Sequence, residues 1–169
     1  MTDDKRLPDA RQAASRLPKT SLVIVRAKDA KQRAERARAL GPIVRQRGLI
    51  LLIADDPVLA RRVGAHGVHL PEIHARKAAR LRAQNPGWLI TASAHSLRAI
   101  LSAAHADAIL LSPVFASDSH PGAKSLTPTR ARVMARTVGV PLFALGGITA
   151  QNAALLSGFS GIAAIGALT

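Results

Sequence analysis

A pair of glycines at the end of an apolar segment is the strongest candidate for a binding site. The segment Ala144-Leu145-Gly146-Gly147-Ile148-Thr149 has the pattern of a strand that ends in two glycines and opens a helix, and Ile165-Gly166 ends the next apolar segment. Glycine lets the backbone approach a phosphate closely, and free N–H groups at a helix start favour its charge. The alternative is that these glycines only turn the chain. We favour a phosphate site.

Charged residues follow the first two apolar segments. Arg26 and Lys28 are two positions apart, so on an extended strand end both side chains point to the same side and could hold a pyrophosphate. They could equally be surface charges paired with acidic neighbours such as Asp29 or Glu35. Asp55-Asp56 precedes Pro57, which suits either a Mg2+ site completed by a phosphate or a helix cap, and the residues alone favour the cap.

Two of the six histidines fall in predicted loops at the same strand ends. An imidazole at His95 or His120 could move protons near neutral pH. His69 lies within a strand and fits a buried core residue, whereas His66 and His105 precede strands and are expected at the opposite, stabilising end. No pair has the spacing of a transition-metal site, so zinc is not expected.

These residues are positioned by a regular alternation of short apolar segments and helix-like stretches, which is typical of parallel βαβ units in one domain spanning residues 1–169. The predicted strands are Leu22–Val25, Leu49–Ile53, Gly67–Leu70, Trp88–Ala92, Ala108–Leu111, Leu142–Leu145 and Gly161–Ile165. The predicted helices are Pro8–Leu17, Ala30–Gln46, Pro57–Val63, Ile73–Ala83, Ser96–Ala104, Pro128–Thr137 and Ala150–Leu156. Alternation alone does not choose between a barrel and an open doubly wound sheet.

Composition narrows the function classes. The 169 residues carry a net charge of +14 and no cysteine, which excludes disulfides and thiol nucleophiles. No run of 18 apolar residues is present and the start is polar, so we expect no membrane span, no secretion signal and a cytoplasmic location. Basic residues of one helix form a solvated face without interleaved aromatics, and nucleic acid is not expected as a partner. That face comprises Lys31, Arg33, Arg36, Arg38, Arg45 and Arg47.

Six strand ends, taken in chain order, resemble those of thiamine phosphate synthases and their TenI-like relatives, over roughly Val23 to Ala167. The motifs are Arg26-x-Lys28, Ala54-Asp55, Gly67-Val68-His69-Leu70, Ser93-Ala94-His95-Ser96, Ser112-Pro113-Val114-Phe115 and Gly146-Gly147-Ile148-Thr149. The resemblance implies a TIM-type (β/α)8 barrel. It also implies an enzyme of thiamine biosynthesis that joins a thiazole phosphate to a hydroxymethylpyrimidine pyrophosphate, with Mg2+ and the loss of pyrophosphate.

The resemblance assigns roles residue by residue. Arg26 and Lys28 match pyrophosphate-binding cations, Asp55 matches a magnesium-binding aspartate, and Ser93 matches a serine near the reacting pyrimidine. Gly147, the backbone around Ile165 and Gly166, and with them Gly146, match the thiazole phosphate pocket. Ser117, Ser119 and His120 stand where the synthases usually have a Thr-x-Thr-Lys loop.

The chain departs from the family pattern mainly in the pyrophosphate and metal half of the site. Ile24 and Ala54 replace a glutamine and an asparagine, and His74 stands where a second metal-binding aspartate is expected. His120 replaces a lysine and keeps only a conditional charge. Two alternatives therefore stay open, namely a TenI-like thiazole tautomerase using His95, and a catalytically silent binder of thiazole or thiamine phosphate.

The strand count leaves the barrel one strand short. The family's first strand commonly ends in Thr-Asp, and here Thr2-Asp3 stand at the start of the chain. We therefore expect a barrel that lacks or truncates its first strand, with an apolar strand encoded upstream. A partner subunit could instead cover the open edge, which would make the protein a homo-oligomer.

Overall fold

A computed structural model describes residues 1–2, 9–116 and 125–165. The chain divides into two compact units. The first comprises Met1–His69, Asn85–Leu89 and Ile165–Thr169, and the second comprises Leu70–Gln84 and Ile90–Ala164. The prediction of a single domain stays a prediction. None of the helices in the described residues has the length and apolar character needed to cross a bilayer.

The first unit is built on three parallel strands, β1 (Leu22–Val25), β2 (Ile50–Ala54) and β3 (Gly67–Leu70). Val23 lies opposite Leu51, and Ile53 lies opposite Val68. The strands are nearly continuous apolar runs and most of their residues are buried, as expected for parallel strands covered on both faces. The helices of this unit are α1 (Ala10–Arg16), α2 (Ala30–Arg47) and α3 (Pro57–Arg62).

Helix α2 shows how local sequence sets its bounds. Asp29 caps its start by accepting a hydrogen bond from the N–H of Gln32, and Gly48 ends it in the left-handed conformation. Ala37, Leu40 and Val44 are buried and lie three or four positions apart, so they share one face. The Asp29 side chain therefore serves as the N-terminal cap of α2.

The second unit is built on β4 (Leu89–Ala94), β5 (Ala108–Leu111), β6 (Leu142–Leu145) and β7 (Gly161–Ala163), which pair in parallel in that order. Its helices are α4 (Ala78–Gln84), α5 (Leu97–Ser102) and α6 (Pro128–Thr137). Two 3₁₀ segments, Glu72–Lys77 and Ala153–Leu156, complete the unit.

The α/β prediction is confirmed, with seven strands in the described residues rather than the eight of a full (β/α)8 barrel. The helix predicted after β6 is wrong, because only a four-residue 3₁₀ segment forms there. Asn152 accepts the N–H of Thr149 through its side-chain oxygen, which makes a side-chain-closed turn where a helix was expected. The strand predicted at Gly161–Ile165 is shorter in the structure, since β7 ends at Ala163, and the chain bends at Ile165.

Thr2 lies against the edge of β1. Its N–H donates to the carbonyl of Ile24 at 2.9 Å. Its hydroxyl donates to the carbonyl of Arg26 at 2.9 Å and accepts the N–H of Arg26 at 2.8 Å. Thr2 is 2% exposed, so these bonds are shielded from water and fix the backbone of Arg26.

Candidate functional site

The two cations after β1 are presented to solvent. Arg26 and Lys28 are exposed, whereas Ala27 between them is buried. That alternation is the one expected of an extended chain, with both cationic side chains on the open side. Among the described residues neither side chain forms an ion pair, and Asp29, one of the suggested partners, caps α2 instead.

The adjacent aspartates after β2 have different roles. Asp56 caps α3, since its Oδ1 accepts the N–H of Leu59 at 2.8 Å. Asp55 is exposed and has a φ of 51°, a left-handed conformation that costs an aspartate about 1 kcal/mol or more. Its N–H donates to the carbonyl of His69 at 2.9 Å. The capping interpretation therefore holds for Asp56, and Asp55 is left at the strand end with a strained backbone.

Arg33 joins the loops that follow β1 and β2, which the sequence did not predict. Its Nη1 donates to the carbonyl of Ala27 at 3.0 Å, and its Nη2 lies 3.2 Å from Oδ2 of Asp56. The Arg33 side chain is only 18% exposed, so its placement on a solvated helical face is wrong. The carboxyl ends of parallel strands lie at one edge of a sheet, and Arg33 connects two of those ends.

In the second unit, His95 follows β4 and pairs with a glutamate, Glu72, that no sequence motif had indicated. Nδ1 of His95 lies 2.6 Å from Oε2 of Glu72, and the same oxygen accepts the N–H of His95 at 2.9 Å. A proton on Nδ1 facing the carboxylate leaves Nε2 as the free nitrogen of the neutral ring. His95 is 56% exposed, so Nε2 belongs to an accessible ring. Ser93 lies two residues earlier on β4 and is half-buried.

The loop after β5 lies against the end of β6. The N–H of Val114 donates to the carbonyl of Leu145 at 3.1 Å, and that of Phe115 donates to the carbonyl of Gly146 at 3.2 Å. A cis peptide bond joins Ser112 to Pro113 at the start of this loop. The motifs after β5 and β6, separate in sequence, therefore form one continuous backbone surface.

Gly147 is required by this close approach. Its φ is 63°, and a Cβ there would overlap the carbonyl oxygen of Ala116 and lie 2.8 Å from Cβ of Phe115. Its carbonyl accepts a hydrogen bond from the side-chain amide of Asn152 at 2.8 Å. A side chain at this position would displace the loop after β5, so the glycine does more than turn the chain.

His69 is a core residue, as the sequence predicted. It is 4% exposed on β3. Burial, together with the positive charges of the amino terminus and Arg26, lowers the pKa of His69 from 6.5 to about 4. Nδ1 of His66 accepts the N–H of Leu51 at 3.0 Å, which gives that histidine a structural role before β3.

Four predicted site residues, Ser117, Ser119, His120 and Gly166, lie outside the described residues, and Ile165 is half-buried after β7. The described ranges hold no cluster of three or more acidic or histidine side chains that could form a metal site. Mg2+ in phosphate-handling sites is usually held by one or two carboxylates, substrate oxygens and water. One exposed carboxylate, that of Asp55, at the end of β2 fits that mode of binding.

The second unit also contains an open groove of about 560 Å3. It is lined by Arg76, Ala79, Arg98, Leu101, Ser102, Ala104 and His105. These residues belong to the helical layer and to the segment before β5, and none of them is a predicted site residue. The groove therefore does not mark the strand-end chemistry.

Comparison with known proteins shows one consistent family. The profile of the thiamine monophosphate synthase family matches residues 2–168. The chain is 40% identical over 161 residues to a thiamine-phosphate synthase of Bordetella pertussis, covering 89% of this chain and 74% of that protein. It is 37% identical over 138 residues to a thiamine-phosphate synthase of Chlorobium luteolum, covering 79% of this chain and 65% of that protein.

A solved structure agrees with these relatives. The thiamine phosphate pyrophosphorylase from Pyrococcus furiosus superposes with a TM-score of 0.76 at 25% identity, covering 97% of this chain and 82% of that protein. Both the sequence matches and this likeness extend over most of the chain.

Proposed function

The chain belongs to the thiamine monophosphate synthase family, and from that premise we propose that it joins a thiazole phosphate to a hydroxymethylpyrimidine pyrophosphate with release of pyrophosphate. Its substrates are phosphorylated small molecules, and a cytoplasmic location and homo-oligomerisation stay predictions. The observation that carries the proposal is at the carboxyl ends of β1 and β2. Arg26 and Lys28 are exposed at one strand end, and Asp55 has a strained backbone at the next.

The proposed reaction breaks the bond between the pyrimidine methylene carbon and the pyrophosphate oxygen, and the thiazole nitrogen then forms a bond to that carbon. Negative charge gathers on the leaving pyrophosphate, so cations fixed before the reaction lower the barrier most effectively. Arg26 contributes a planar set of donors, and Lys28 contributes a compact charge. Asp55 would hold Mg2+, which would supply further positive charge to neutralise the leaving group.

The other proposed contacts are assigned to residues that follow or end β4, β5, β6 and β7. The backbone at Gly146 and Gly147 lies against the loop after β5, which leaves little room for side chains and suits close contact with the thiazole phosphate. Ser93 would orient the pyrimidine through its hydroxyl. The loop proposed to bind phosphate carries Ser117, Ser119 and His120. The proposed neighbours of the thiazole phosphate include Ile165 and Gly166.

The synthase proposal is tested with both substrates and Mg2+, with thiamine phosphate as the product measured. The wild-type protein should form thiamine phosphate, and Lys28→Ala should lower kcat/KM by about a hundredfold because a charged contact to the leaving group is lost. Lys77→Ala is the matched control, since Lys77 is an exposed lysine in the 3₁₀ segment of the second unit. Equal activity in the Lys28 and Lys77 variants would contradict the role of Lys28.

A second candidate function, thiazole phosphate tautomerisation, is supported by the pair of His95 and Glu72. An exposed imidazole whose Nδ1 faces a carboxylate at 2.6 Å is well placed to take a proton at Nε2 and return it elsewhere on a ring. This candidate is tested by incubating the protein with one tautomer of the thiazole phosphate, without the pyrimidine substrate, and measuring its conversion to the other tautomer. Isomerisation that is lost in His95→Ala supports it, and ligand binding without turnover of either substrate set would instead favour a silent binder.

A further inference from the structure

Arg33 connects the loop that carries the two proposed pyrophosphate cations to the loop that carries Asp55. Its Nη1 donates to the carbonyl of Ala27, the residue between the two cations, at 3.0 Å. Its Nη2 donates at 3.2 Å to Oδ2 of Asp56, which directly follows Asp55. The other carboxylate oxygen of Asp56 is occupied by the N–H of Leu59, so one chain of bonds runs from the first loop to the start of α3.

The surroundings of Arg33 distinguish it from an ordinary surface ion pair. Arg33 and Asp56 are 18% and 24% exposed, so water screens their attraction only in part. The planar guanidinium can donate to two acceptors at fixed angles, which a lysine cannot do. Nε of Arg33 is buried without a hydrogen-bond partner among the described residues, and leaving such a donor unpaired is unfavourable. The fold thus keeps a partly unsatisfied guanidinium at this junction.

We infer that Arg33 is a positioning residue that fixes the Arg26 and Lys28 loop relative to the Asp55 loop and thereby sets the affinity for the pyrophosphate group. This inference rests on the proposed function. Arg26 and Lys28 lie on an exposed segment after β1, where Thr2 and Arg33 hold the backbone. Small displacements of charged groups at a reacting centre can cost about a hundredfold in rate, so a brace between the loops has a measurable effect.

The test measures pyrophosphate binding separately from catalysis. Binding of inorganic pyrophosphate in the presence of Mg2+ is followed by titration calorimetry for wild type, Arg33→Gln, Arg33→Lys and Asp56→Asn. The KM for each of the two synthase substrates is measured on the same proteins. Arg38→Gln is the matched control, because Arg38 is an exposed arginine on the same helix, α2.

Arg33→Gln should raise the Kd for pyrophosphate and the KM for the pyrimidine pyrophosphate by about tenfold, with the KM for the thiazole phosphate unchanged. Arg33→Lys should recover part of this loss, since one amino group can reach only one of the two acceptors. Asp56→Asn keeps an oxygen to cap α3 but loses its acceptor for Arg33, so it should raise the Kd by severalfold. In the double variant the two effects should be less than additive.

An unchanged Kd in a folded Arg33→Gln protein would overturn the inference, as would equal increases in the KM of both substrates. If Arg33→Gln does not fold, Asp56→Asn decides, and an unchanged Kd in that variant overturns the inference. Lys28→Ala separates the two proposals. If Lys28→Ala loses pyrophosphate binding but the Arg33 and Asp56 variants keep it, the positioning role of Arg33 is refuted and the proposed pyrophosphate site stands. If Lys28→Ala binds pyrophosphate as tightly as the wild type, the proposed site itself is refuted.

Discussion

Acidification should destabilise the fold through His69. The native pKa of His69 is about 4, below the 6.5 of an exposed histidine, mainly because burial disfavours the charged imidazole. Between pH 6.5 and pH 4, the unfolded chain therefore binds a proton at His69 that the native protein does not bind. The contribution of neutral His69 to the free energy of unfolding is fully present above pH 6.5 and is lost as the pH falls toward 4. At about 1.4 kcal/mol per pKa unit, this loss is about 3 kcal/mol.

The assay is urea unfolding, followed by circular dichroism at several pH values from 7.5 to 4.5. His69→Gln removes the titrating group, so its free energy of unfolding should be lower at pH 7.5 but should fall by about 3 kcal/mol less across this range than that of the wild type. His105→Gln, at an exposed histidine, should keep the wild-type slope. Parallel pH profiles for wild type and His69→Gln would refute the reasoning, as would a native His69 that titrates near pH 6.5 by NMR.

Further predictions follow from contacts at the strand ends. Gly147→Ala should abolish thiazole phosphate binding and lower the melting temperature, since its Cβ overlaps the loop after β5; calorimetry of both properties checks this. Asp56→Ala should lower the free energy of unfolding by about 1 kcal/mol through loss of the α3 cap, and urea unfolding checks this. Asp55→Asn, which keeps a residue type that tolerates the φ of 51°, should raise the Mg2+ concentration needed for activity, as measured by Mg2+ titration of the synthase assay. Glu72→Gln should lower the rate of any His95-dependent isomerisation, because Nδ1 of His95 loses the carboxylate that it faces at 2.6 Å; the rate measured with the thiazole tautomer as the only substrate checks this.

Sequence patterns predicted the strands well because the strands of this fold are apolar on both faces. Leu22–Val25, Gly67–Leu70, Ala108–Leu111 and Leu142–Leu145 have the predicted bounds. The error after β6 arose where side chains compete with helical hydrogen bonds, since Thr149 and Asn152 bond to each other's backbone. Spacing could not reveal that competition.

The candidate site was predictable in its strand-end residues and unpredictable in their partners. Arg26, Asp55, Ser93 and His95 could be located because they follow or end apolar segments. The partners came from tertiary contacts, since Glu72 precedes His95 by 23 positions and Arg33 has the same separation from Asp56. A charged residue on a helix looks like a solvated surface residue until its partner is known.

The central claim is that this chain condenses two phosphorylated substrates. The most direct measurement is the amount of thiamine phosphate and of pyrophosphate formed when the wild-type protein is incubated with the thiazole phosphate, the pyrimidine pyrophosphate and Mg2+. We expect equal amounts of the two products, and neither product when either substrate is left out. Pyrophosphate release without thiamine phosphate, or no turnover by a folded protein that binds both substrates, would contradict the claim.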